Sequence, residues 1–157
     1  MFRRFALVSL VMLFAWAGAQ NSYFVKADMV RGAQGAQGNV CVPNSVFVPT
    51  EMIVFRAVVY DAATGEEMLH DAIAERGIQA TVHIQDLATI PMFFPPASEG
   101  MGPGMYFFRG TYTIPAEAAT GMFDWWIEVT DASGATASFQ PIGREFGAGQ
   151  ITIQAAQ

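Results

Sequence analysis

The chain has 157 residues, 52% of them hydrophobic and 14% charged, and its 14 Asp and Glu outweigh 8 Lys and Arg for a net charge of −6. Such an apolar composition excludes a disordered polyelectrolyte, and the acidic balance argues against nucleic acid and against electrostatic attraction to anionic lipid. The length suits one domain with a real core.

In chain order, Arg3 and Arg4 precede an apolar run from Phe5 to Trp16 that is broken only by Ser9. Ala17-Gly18-Ala19 then sets small residues at −3 and −1 before Gln20. This is the layout of a signal peptide over 1–19. The run falls short of the ~20 residues a bilayer span requires, with an uncleaved anchor as the alternative. Cleavage after Ala19 would leave residues 20–157 as one domain and, by removing two Arg, move the charge from −6 to −8. The expected destination is the periplasm or the cell exterior. No Cys lies at the cleavage point, so no lipid anchor is expected. The lone Cys41 can form no internal disulfide, and its setting in Val40-Cys41-Val42 predicts a buried core thiol, with an intermolecular bridge or a metal thiolate as alternatives.

Nearly everything that follows predicts β structure. Tyr23 to Val30 is a first strand, and the uncharged repeat from Gly32 to Gly38 is a loop or linker. Val40 to Val48 is strand-like but interrupted by Pro43, which suits an edge or a bend. Glu51 to Asp61 alternates, with Ile53, Phe55, Ala57 and Val59 on one face and Arg56 on the other. Asp61 to Gly65 signals a turn, and Glu66 to Arg76 is either a short helix or an irregular connection. Gly77 to Asp86 alternates again, Ile78, Ala80, Val82 and Ile84 facing one way. Leu87 to Gly104, rich in Pro, Gly and Met, is expected to be a loop. Met105 to Ile114 is a strand with Tyr106, Phe108, Tyr112 and Ile114 in phase, and Pro115 to Gly121 a crossover. Met122 to Asp131 is the strongest strand, with Phe123, Trp125, Ile127 and Val129 inward. A turn at Asp131 to Gly134, a return strand over Ala135 to Pro141 and a closing segment from Gly149 to Gln154 complete seven or eight strands. Short alternating strands of this number predict an all-β antiparallel sandwich.

Tyr112-Thr113-Ile114-Pro115, Thr120-Gly121-Met122-Phe123-Asp124-Trp125 and Val129-Thr130-Asp131-Ala132-Ser133-Gly134 lie in an order that resembles the last strands of bacterial immunoglobulin-like modules of the broad invasin and macroglobulin-like type. Phe55 to Gly65 resembles the strand and turn near the start of such a domain. The resemblance covers about two thirds of the chain beyond residue 19 and implies an immunoglobulin-like sandwich, without the Cys pair of antibody domains. Such folds host adhesion, scaffolding, ligand binding and enzyme-accessory roles.

No catalysis is expected. The chain holds two His and one Cys and lacks a Gly-x-Ser-x-Gly elbow, a His-Glu-x-x-His pair, a phosphate loop or a Cys-x-x-Cys motif. Glu66 and Glu67 are adjacent and would point apart on an extended backbone. The expected role is a non-catalytic exported module that binds another envelope or extracellular protein. Its contact residues would be Trp126, placed on the outer face by its neighbour Trp125, and Phe93, Phe94 and Met101 in the Pro/Gly-rich loop. Two alternatives stand beside it. One is a copper protein using Met68 and His70, with Met92, Met101 and Met105 nearby, because thioether and imidazole suit copper. The other is an accessory subunit of an exported enzyme. His83, on the polar phase of its strand, is expected to be plainly exposed.

Overall fold

In the computed structural model the described residues are 22–96, 106–143 and 149–156. The expected signal peptide, Met101 and Met105 lie outside them. Ten strands and one short helix follow one another as β1 (Tyr23–Arg31), β2 (Val46–Phe47), β3 (Met52–Asp61), α1 (His70–Arg76), β4 (Gln79–Ile84), β5 (Ala88–Pro91), β6 (Phe108–Thr113), β7 (Gly121–Phe123), β8 (Trp125–Thr130), β9 (Thr136–Phe139) and β10 (Ile151–Ile153).

The strands form an all-β sandwich. One sheet has the order β1-β3-β6, a second β5-β4-β8-β9, and a small third β2-β10-β7. All pairings are antiparallel except that of β10 with β2, which is parallel. The alternation of β3 buries Ile53, Phe55, Ala57 and Val59, and that of β8 buries Trp125, Ile127 and Val129. These inner faces meet in one core, where the rings of Phe55 and Trp125 lie 5.2 Å apart. Each such aliphatic or aromatic side chain contributes about 1.5–3 kcal/mol by leaving water.

Several segments differ from the sequence expectation, each for a local reason. The stretch expected as a loop after Leu87 opens as β5, an edge strand hydrogen-bonded to β4. Asp86 takes the left-handed φ of 55° that a tight turn requires, and Pro91 sits where the strand ends. Met92, expected on that loop, is buried in the core. The single strand expected from Met122 to Asp131 is two strands in different sheets, broken at Asp124. The Asp124 carbonyl accepts the Gln85 N–H at 2.8 Å and its carboxylate accepts Gln150 Nε2 at 2.9 Å. Only Val46 and Phe47 of the expected Val40–Val48 strand form β2. Upstream of them, Cys41 is exposed at φ 58° rather than buried, between the exposed Val40 and Val42. That segment lies along the end of β1 instead: Cys41 N–H donates to the Arg31 carbonyl at 2.8 Å, and Pro43 bridges Val30.

A buried carboxylate holds the loops at this end. Glu51 is 1% exposed and accepts the N–H groups of Gln37 and Val48 at 2.8 and 2.9 Å, while Arg31 Nε lies 2.9 Å from it. Gly35, at φ 68°, lets the loop approach so closely that a Cβ there would sit 2.1 Å from the Thr50 carbonyl oxygen. At the opposite end two aspartate turns are clasped together. Asp61 Oδ1 caps Ala63 and Thr64, and Asp131 Oδ1 caps Ser133 and Ala135. Arg76 Nη2 reaches Asp61 at 2.9 Å, and Tyr23 Oη donates to Asp131 Oδ2 at 2.5 Å.

Candidate functional site

The inner faces of the two larger sheets are consumed by the core, so any binding surface in the described strands lies outside. The outer face of β1-β3-β6 is built by simple alternation. Phe24, Lys26 and Asp28 of β1 face outward between the inward Tyr23, Val25 and Met29. Val54, Arg56, Val58 and Tyr60 do the same on β3, and Arg109 on β6. Register then sets these residues in rows. Asp28 lies opposite Arg56, Arg56 opposite Arg109, and Arg109 opposite Phe93, which bridges the far side of β6 through two backbone hydrogen bonds of 2.8 and 2.9 Å. The neighbouring rows run Lys26–Val58 and Phe24–Tyr60–Glu67.

Asp28 grips Arg56 with both carboxylate oxygens, Nε to Oδ1 at 2.7 Å, and this raises the guanidinium further above its ordinary value. The same guanidinium stands 5.9 Å from the ring centre of Phe107. Elsewhere on the same face two phenylalanines are exposed, Phe24 by 62% and Phe93 by 56%. The rings of Phe24 and Tyr60 lie 6.0 Å apart and border a depression of about 590 Å³ that also touches Lys26 and Gly65. A second depression of about 280 Å³ lies between Arg56, Val58, Tyr60 and Phe107. Chemically such a surface can take up aromatic and aliphatic groups beside a fixed cation. Phe24, Tyr60, Phe107 and Arg109 escaped the sequence reading, although the polar phase of Phe24 in its strand was visible and marks an aromatic ring sent outward.

The residues predicted as contacts do not form one patch. Phe93 lies on the face just described. Phe94 points back into the protein, 4.8 Å from the Phe108 ring and 5.0 Å from His70. Trp126 lies outward on β8, in the other large sheet, where it is half-buried. Its cross-strand neighbour His83 stacks on it at 4.9 Å and 7°. His83 is far from plainly exposed: Thr89 Oγ1 lies 3.3 Å from its Nδ1 and Glu128 Oε2 lies 3.0 Å from its Nε2. A depression of about 310 Å³ opens between this stack and the β4–β5 turn.

Of the two metal candidates, Met68 is buried in the core and His70 opens α1. The His70 ring is held edge-on by Phe94 and Tyr106, and its buried Nε2 has no hydrogen-bond partner. Among the described residues no group of three or more His, Cys, Asp and Glu could hold a metal ion, and no helix is long and apolar enough to cross a membrane. No family model matches the chain, and no curated protein matches it.

Proposed function

We propose that the chain is a non-catalytic binding module of the immunoglobulin-like type, exported from the cytoplasm, that docks onto another protein of the envelope or the cell exterior through the outer face of β1-β3-β6. The observation that carries this reading is one outward sheet face that bears two exposed phenylalanines, Phe24 and Phe93, the half-buried rings of Tyr60 and Phe107, and an arginine already fixed by Asp28. Aromatic residues and Arg are the side chains that dominate protein interfaces, and a fixed guanidinium loses little entropy on docking. Two exposed phenylalanines on one sheet face, with half-buried rings between them, support an interaction site.

The test is mild cross-linking in the native envelope, capture of the mature chain, and mass spectrometry of what accompanies it. One dominant co-captured protein is expected. A Phe24→Ser/Phe93→Ser double variant should lose it while keeping its Tm, and Trp126→Ala should retain it. Undiminished capture by the double variant would remove this face from the reading. Were the captured protein an enzyme, the module would be its accessory subunit.

A copper role is favoured by one observation, the buried and unpartnered Nε2 of His70. Stoichiometric Cu(I) uptake lost in a Met68/His70 double variant would support it, and absence of uptake would end it.

A further inference from the structure

Charge is unevenly spread on this acidic protein. Lys26, Arg56 and Arg109, three of its 8 Lys and Arg, stand on the outer face of β1-β3-β6, against Asp28 and, at the far end of the Phe24–Tyr60 row, Glu67. Asp28 is spent on Arg56. Arg109, directly opposite Arg56, has no ion pair among the described residues. Like charges set directly across a pair of strands repel, and nothing in the fold requires an arginine at this exposed position. This guanidinium is flanked by the open ring of Phe93 on one side and by Arg56 over Phe107 on the other.

We propose that this face takes an acidic segment of a partner protein, a carboxylate seated between Arg109 and Lys26 and neighbouring apolar side chains in the two depressions beside Tyr60. This rests on the docking role proposed above and names the chemistry of its partner. Arginine presents a planar fork that a carboxylate can meet with two hydrogen bonds, and desolvation by the surrounding rings strengthens such a contact. On a chain with net charge −6, the paired Arg56 and the cations Arg109 and Lys26 would also set the approach orientation of an acidic segment.

The test uses the mature protein labelled with nitrogen-15 and two synthetic peptides, one with Asp and Glu interspersed among Tyr and Val, the other identical but with Lys replacing each acid. Amide shifts should appear in β1, β3 and β6 with the acidic peptide, weaken in high salt, and be at least about tenfold weaker with the Lys peptide. Arg109→Glu should reverse that preference without altering the spectrum elsewhere. Equal binding of both peptides would overturn the acidic assignment while leaving the face as an apolar docking surface. Silence with both would overturn it outright, and the cross-linking experiment would then decide the docking role independently. Phosphatidylglycerol vesicles form the third arm. Sedimentation with them, abolished by Arg109→Glu and accompanied by silence with the acidic peptide, would replace a protein partner by a phosphate-bearing membrane.

Discussion

Glu51 stands two residues ahead of Ile53 and in phase with it, so the pleat that buries Ile53, Phe55, Ala57 and Val59 buries a carboxylate as well. Its two oxygens are met by three donors, two loop N–H groups and Arg31 Nε, so it clasps the loops at this end together. Glu51→Ala would leave Arg31 facing a void and two N–H groups unpaired. A loss of about 3 kcal/mol is expected in urea unfolding, the lower end for a broken buried pair because Arg31 keeps some contact with water. The Asp131 turn gives a pH signature. Hydrogen bonds from Ser133 and Tyr23 hold its carboxyl down at about 2, and the Ala63 N–H chiefly lowers Asp61. A carboxyl whose folded value lies below its unfolded one stabilises the fold above the unfolded value and stops doing so as protons bind. The Tm should therefore hold above about pH 4 and fall between there and about pH 2. Asp131→Asn should flatten that fall, and an unchanged acid limb in the variant would assign it to other groups.

At the scale of strands, β3, β4 and β8 were legible because in each an apolar residue recurs at every second position without a break. What could not be read was pairing. Val40 to Val42 is as apolar as a core strand, yet Pro43 removes a donor and the segment is left as an exposed fringe of β1. Thr89 and Ile90 were hidden inside a Pro- and Met-rich stretch, although both favour strands and follow an aspartate able to turn left-handed. The sheet change at Asp124 has no signature in alternation, since Phe123 and Trp125 keep the same phase across it. The candidate site was half visible: Phe93 stood out, but its row with Arg109, Arg56 and Asp28 depends on three registers. Arg109 carries a prediction of its own. Arg109→Thr removes a like-charge contact with Arg56 and should raise stability by about 0.2–1 kcal/mol in thermal unfolding. A clear loss of Tm would mean that the guanidinium has a structural partner instead.

Across the whole molecule the two large sheets depend on each other through a few rings. Phe55 from one packs on Trp125 from the other, and Trp125 in turn lies 5.7 Å from Phe139. Phe55→Ala should cost about 3–5 kcal/mol in urea unfolding and lower both sheets' signals together, because the cavity would open between them. A loss below about 1 kcal/mol would mean that the sheets repack independently. The sandwich leaves two outer faces of different character. One carries the aromatic and basic residues of β1, β3 and β6, and the other carries a polar field of Thr, Gln and Ser around the Trp126–His83 stack.

Cys41 gives the first of these faces a practical reporter. The protein has one thiol, it is open to solvent, and its backbone N–H ties it to the Arg31 carbonyl at the end of β1. A maleimide dye would therefore attach at a single known point at the end of β1, the strand that carries Lys26 and Asp28, with no engineered residue. Its emission would register occupancy of that face in real time, in the wild-type chain.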